Sequence, residues 1–216
     1  MKFEYTFLGQ SILKYEVPVE LFVTLNELYE KNKKALPNAN KQLAGKIPDE
    51  HSLFYAGPSN QRMHAHSYLS KDIIEWFSGT FEHYLKWNRI QEFQIGINSI
   101  WVNEMRAGNY NPVHIHRGKL FTGLSSVMVL KLPKDMGPEL ARSDQPCNGQ
   151  LQILGNISGQ FAHTDFSPEV KIGDFYVFPY DMRHVVYPFT NKKEKRRTLS
   201  CNCDVEYNPV TSRTVK

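Results

Sequence analysis

Three absences narrow this sequence before any motif is read. Cysteine is scarce: Cys147, Cys201 and Cys203 are the only three in 216 residues. So odd and sparse a set does not form a disulfide framework, and no Cys-x-x-Cys or Cys/His zinc spacing occurs. Long apolar runs are missing too. The beginning, Met1-Lys-Phe-Glu-Tyr, has no signal-peptide core, and no stretch approaches membrane length. A broad stripe of one charge is also missing. The 26 Lys and Arg exceed the 22 Asp and Glu by four, and much of that excess sits in Lys192-Lys-Glu-Lys-Arg-Arg197. A nucleic-acid binder carries a wider basic surface. The chain therefore reads as soluble, reduced and cytoplasmic, with neither membrane nor nucleic acid as a partner.

What is present divides into two textures. After an alternating strand at 11–16, Pro18 marks a helix start, and 19–34 carries Leu21, Leu25, Leu28 and Tyr29 at helical spacing. Residues 38–57 are polar and broken by proline, so they read as a loop with a short element near Gln42-Leu-Ala-Gly. Ser70 is a good N-cap for a second helix over 71–87, with Ile74, Phe77, Phe81, Tyr84 and Leu85 on one face. From Glu92 the sequence turns to short β-rich runs between Gly, Pro, Asn and Asp clusters. Strands are expected at 94–105, 113–116, 123–131, 149–154, 160–163, 174–178, 184–188 and 196–205. The long loop 132–148 reads as a rim over a site. The fold class expected is mainly β with N-terminal helices: a double-stranded β-helix, or jelly roll, buttressed by two helices. It forms a single domain over 1–216, with the buttress at about 18–90 and the barrel core at about 92–206.

The candidate site lies in Gly108-Asn-Tyr-Asn-Pro-Val-His114-Ile-His116 and in Pro179-Tyr-Asp-Met-Arg-His184. On a strand, residues two apart share a face, so His114 and His116 point the same way. His184 follows a second strand and supplies a third imidazole. Three ligands on rigid strands leave coordination positions open, as a metal that binds substrate or O₂ requires. The usual triad has Asp or Glu where His116 stands. Asp165 and His163 are the other nearby groups that could ligate, and His64-Ala-His66 reads as a surface pair.

These residues also carry a resemblance. Trp101-Val-Asn103, Arg106-Ala-Gly108 through His116, Thr122-Gly-Leu124, Gly173 through Pro179, His184-Val-Val-Tyr-Pro188 and Arg196-Arg-Thr-Leu-Ser-Cys-Asn202 together resemble a 2-oxoglutarate- and Fe(II)-dependent oxygenase family of bacteria and marine phages. Lys41-Gln-Leu-Ala-Gly45 matches weakly. The resemblance implies Fe(II), 2-oxoglutarate and O₂, with His114 and His184 as iron ligands; His116, at the position of the usual carboxylate, is the candidate third ligand from its place beside His114. It also implies a basic residue on the last barrel strand, gripping the far carboxylate of 2-oxoglutarate. Arg196 is favoured, because period 2 puts it on one polar face with Thr198, Ser200 and Asn202. Arg197 is the alternative, on the face of Leu199, Cys201 and Cys203. Thr198 and Ser200 supply hydroxyls, and Asn103 is a further candidate beside the cosubstrate.

The implied reaction hydroxylates a C–H of a small-molecule or peptidyl substrate, releasing succinate and CO₂. Two other readings share the fold. One is a cupin-type three-histidine dioxygenase that needs no 2-oxoglutarate, and the other is a non-catalytic structural or binding jelly roll. The cupin reading does not require the polar Arg196/Ser200 face. The sequence leaves the substrate and the oligomeric state open.

Overall fold

The computed structural model describes residues 9–40, 44–57, 63–156, 159–160 and 162–208. Helix α1 (Val19–Asn32) starts directly after Pro18, whose φ of −54° is set by its ring. Helix α2 (Lys71–Trp87) has the expected bounds. Ser70 occupies its N-cap position, although its hydroxyl makes no capping bond. The apolar stripes behave as periodicity dictates: α1 buries Leu25 and Tyr29, and α2 buries Ile73, Phe77, Phe81, Tyr84 and Leu85.

Strands β1 (Leu13–Glu16), β2 (Asp49–Tyr55), β3 (His66–Ser67), β4 (Phe93–Met105), β6 (Gly123–Lys131), β9 (Asp174–Pro179) and β11 (Arg196–Tyr207) form a seven-stranded antiparallel sheet in the order β1-β9-β6-β11-β4-β2-β3. A second sheet takes β5 (Asn111–His114), β10 (Arg183–Val186), β7 (Leu151–Leu154) and β8 (Asp165–Phe166) in the order β5-β10-β7-β8. The two sheets face each other, which makes a jelly roll. No helix among the described residues is long and apolar enough to cross a membrane.

Two cores follow from the two faces of the large sheet. Its outer face meets the helices through Phe77, Phe81, Phe175, Leu199, Cys201 and Cys203. Phe175 is the hub, with ring contacts to Tyr15, Trp76 and Phe77 at 5.4–6.3 Å. Truncating it to Ala would cost about 3–5 kcal/mol. The inner face meets the small sheet through Met105, Val127, Leu151, Tyr176, Phe178 and Phe189. Along β11 the outward residues Leu199, Cys201, Cys203 and Val205 join the outer core, while the inward Thr198, Ser200 and Asn202 are polar where the cavity opens.

Three expectations need correction, and a fourth falls outside the described residues. The stretch 38–57 is not all loop, because 49–55 pairs with β4 from Asp49↔Glu104 to Tyr55↔Ser99. Cross-strand pairing there overrides a sequence whose inward positions are polar. The short element near Gln42-Leu-Ala-Gly falls largely on 41–43, outside the described residues. No strand forms at Gln160, Ala162 or His163, and Phe161 is outside the described residues; the short strand lies at Asp165–Phe166 instead. The loop 132–148 has no regular structure, as expected, yet it does not rim the site. It is tied to the far end of the barrel by Thr190 N to Met136 O (2.9 Å) and Gly149 N to Pro188 O (2.9 Å).

Candidate metal centre

His114 ends β5 and stands directly across the ladder from His184 on β10. His116 lies just past the strand, where its backbone N–H donates to Tyr180 O at 2.9 Å. One ring nitrogen of each histidine falls within 4.8 Å of the others, and the Nε2 atoms of His116 and His184 are 3.1 Å apart. Their outer nitrogens explain how the rings are aimed. His114 Nδ1 lies 2.7 Å from Pro112 O and His184 Nδ1 lies 3.2 Å from Met182 O. A carbonyl only accepts, so both Nδ1 atoms carry the proton and both Nε2 lone pairs turn inward. His116 Nδ1 meets the Asn202 side-chain amide at 3.2 Å, and that amide also meets Ser125 Oγ at 2.8 Å. The amide nitrogen faces His116 Nδ1 and the amide oxygen accepts from Ser125 Oγ; turned end for end, with Ser125 Oγ accepting, the amide gives His116 the same tautomer as the other two rings.

In that tautomer three lone pairs turn inward, and at this spacing they repel one another unless a cation lies between them. Two nitrogens bound at about 2.1 Å and at right angles to one ion are about 3.0 Å apart, which fits the His116–His184 spacing. All three rings are held neutral. Burial, with repulsion from the other two histidines, pushes His116 well below the usual imidazole range. Burial and His114 take His184 down to about 3, and burial lowers His114. A neutral three-nitrogen set with open positions suits a divalent ion.

The inner face of β11 continues the site. Thr198, Ser200 and Asn202 line a cavity of about 530 Å³ together with the three histidines, Trp101 and Asn103. Asn103 Nδ2 donates to Ser200 Oγ (3.4 Å) and receives Trp101 Nε1–H on Oδ1 (3.1 Å). Arg196 is the next inward residue of the strand. It is 0% exposed, its Nε and Nη2 have no hydrogen-bond partner, and its Nη1 meets only Met105 Sδ at 3.9 Å. A buried guanidinium with unused donors is suited to binding an anion. Arg197 points the other way. Glu104, Glu30 and Asn26 bind it, and it lies 4.5 Å over the Tyr29 ring. Its charge is already compensated.

The family model described as "Putative 2OG-Fe(II) oxygenase" matches residues 99–202, from within β4 through most of β11. Residues 99–202 thus carry a 2OG-Fe(II) oxygenase domain. The chemistry of that family takes Fe(II), 2-oxoglutarate and O₂. The fold of the chain is shared by solved structures of low sequence identity. An oxidoreductase of the 2OG-Fe(II) oxygenase family from Burkholderia pseudomallei is 13% identical over 91% of this chain and 84% of its own, with a TM-score of 0.58. A Pseudomonas putida prolyl-4-hydroxylase is 13% identical over 91% and 92%, with a TM-score of 0.53. A prolyl hydroxylase in complex with a hypoxia inducible factor peptide, from Trichoplax adhaerens, is 13% identical over 95% and 86%, also at 0.53. No curated protein matches the chain by sequence.

The structure brings His114, His116, His184, Asn103, Thr198 and Ser200 together around one cavity. Asp165 and His163 do not join them. They line a separate cavity of about 320 Å³ beside β8. His66 bonds Ser52 Oγ (2.9 Å) and the His64 carbonyl (2.8 Å).

Two features of the oxygenase escaped the sequence. Asp204 accepts from Lys119 N (3.0 Å) and Tyr180 Oη (3.3 Å), and Asn98 Nδ2 donates to Tyr180 Oη (2.9 Å). This clamp fixes the turn just after His116. A side chain at Gly118 would collide with Asp204 and Asn98. The second feature is Glu50, which lines the cavity from β2. Strict alternation of Glu50 and Ser52 on the inward face was its only sequence signal.

Proposed function

We propose that this protein is a 2-oxoglutarate-dependent hydroxylase whose His114, His116 and His184 hold Fe(II). Arg196 grips the far carboxylate of 2-oxoglutarate, and Thr198, Ser200 and Asn103 supply neighbouring hydrogen bonds. One observation carries this reading: a cluster of three neutral imidazoles and a buried arginine with unused donors lie on the two facing sheets of one barrel. Fe(II) with 2-oxoglutarate and O₂ supplies the oxidation of a C–H to C–OH, with release of succinate and CO₂.

The residues of the chain provide geometry. Pro112 O, Met182 O and Asn202 aim the imidazoles, and burial keeps them unprotonated at neutral pH. The low-dielectric setting of Arg196 strengthens its hold on a carboxylate. The substrate we propose is a small molecule or a peptidyl residue. Two of the structural neighbours are described as prolyl hydroxylases, one of them crystallised with a peptide. Three free thiols and an oxidisable iron suit a reducing cytoplasm, the setting we propose.

The test is succinate release from 2-oxoglutarate in air with Fe(II), together with the melting temperature in Mn(II) and 2-oxoglutarate. Both signals should appear in the wild type, and succinate release should be lost in His184→Ala. Succinate production unaltered by that change would refute the ligand assignment.

A further inference from the structure

Glu50 is the anomaly of the cavity. It is 0% exposed, and neither carboxyl oxygen has a hydrogen-bond partner. It belongs to β2, one strand outward from Asn103 on β4. Its backbone carbonyl accepts Ala39 N–H at 2.8 Å, while its carboxyl group is idle. Among the described residues lining the cavity it is the only carboxylate. Arg117 and Lys119 also line it, but both are exposed, where solvent screens their charge. The three histidines are neutral, and among the described residues no cation contacts Glu50. Burial alone lifts its pKa to about 8.

A buried carboxyl with two empty acceptors is destabilising as it stands, so its presence calls for a partner. Apolar or amide side chains would fill the same place on β2 without that cost. The missing partner is a donor that carries positive charge, because a carboxylate in low dielectric gains most from a cation. The cavity holds the metal ligands in the same space, so a group held at Glu50 is presented to the reacting centre.

We propose that Glu50 anchors the primary substrate by binding a cationic nitrogen, an ammonium or guanidinium, which makes the substrate class a basic amino acid or a peptidyl basic residue. The assignment rests on the hydroxylase reading of the cavity. Binding such a group drives the Glu50 proton off and leaves an ion pair, which settles both empty oxygens. Asn103, its neighbour across the ladder, borders the same subsite.

The test uses the full chain with Mn(II), with and without 2-oxoglutarate. Probes are L-arginine, L-lysine and their N-acetyl amides, with L-citrulline and L-norleucine as uncharged counterparts. Binding is read from melting temperature and from the effect on Mn(II)-induced water proton relaxation. At least one basic probe should bind ten-fold or more tighter than its uncharged counterpart. Glu50→Gln should abolish that difference, keep the shift caused by 2-oxoglutarate, and melt at or above the wild type at pH 8. Three results overturn the assignment: no basic probe binds, the charge preference survives in Glu50→Gln, or the variant melts lower, which would make Glu50 structural. If 2-oxoglutarate gives no shift in the wild type, the hydroxylase reading fails instead. The charge preference at Glu50 is still read from the Mn(II) protein alone.

Discussion

The Nε2 atoms of His116 and His184 face each other at 3.1 Å, and each ring is pinned from behind, by the Asn202 amide and the Met182 carbonyl respectively. Such pinning implies an orienting role for Asn202 distinct from ligation. By calorimetry the wild type should bind one Mn(II). His184→Ala should weaken it by on the order of 100-fold or more, and Asn202→Ala by about 10-fold with the fold intact. Unchanged affinity in Asn202→Ala would show that the amide does not orient His116.

Arg196 should trade stability for binding. With its Nε and Nη2 unpartnered in the interior, replacement by Met removes an uncompensated charge and should raise the unfolding free energy by on the order of 1 kcal/mol or more. The same change should abolish the stabilisation by 2-oxoglutarate, which for the wild type is roughly 2.7 kcal/mol at a hundred times the dissociation constant. Thermal melts with and without the cosubstrate decide it. A Met variant that still responds to 2-oxoglutarate would move the carboxylate site elsewhere.

Arg197→Met should do the opposite. It strips the buried Glu104 carboxylate of one of its two cations, leaving Lys195, and releases Glu30 on α1. Breaking a buried pair from one side costs about 3–5 kcal/mol. Urea unfolding should show that loss, while the response of the folded fraction to 2-oxoglutarate persists. Loss of the response in this variant, with Arg196→Met responding normally, would reverse the two arginines.

Glu50 also predicts a pH signature. Its pKa is raised by burial from an ordinary 4.5 to about 8 in the folded protein. Between those values the folded chain holds a proton that the unfolded chain has released, so this group lowers stability as pH rises through the window, and the loss levels off above 8. At about 1.4 kcal/mol per pH unit the effect reaches a few kcal/mol. No charged group shares in that shift, and Asn103 faces Glu50 across the ladder. The stability advantage of Glu50→Gln over the wild type should therefore widen from pH 5 to pH 8. A constant difference across that range in urea unfolding would exclude the raised pKa.

Much of the architecture is legible in the sequence because it rests on periodicity. Helix α2 stands where its apolar stripe and Ser70 put it, and β6 runs over Gly123–Lys131 as expected. Period 2 also separates Arg196 from Arg197, and the structure turns them to opposite faces of β11. The losses occur where the site reverses the usual rule. Strand β2 turns Glu50 and Ser52 inward and so shows no apolar alternation, although Leu53 and its pairing with β4 make it a strand. His116 was expected on a strand with His114, but β5 ends at His114, and a hydrogen bond to Tyr180 O holds His116 in place. Contacts between residues more than sixty positions apart leave no local trace.

The adjacent arginines of β11 have one more consequence. A strand displaced by one residue exchanges its two faces. A slipped β11 would drive the ion-paired Arg197 between the sheets and strand Glu104 and Glu30 without it, while expelling Arg196 among Tyr29 and the helices. Misregistered intermediates are thus penalised twice, once on each face. The two side chains act as a ruler for assembly, and a β11 aligned well enough to fold is already aligned to present its anion pocket.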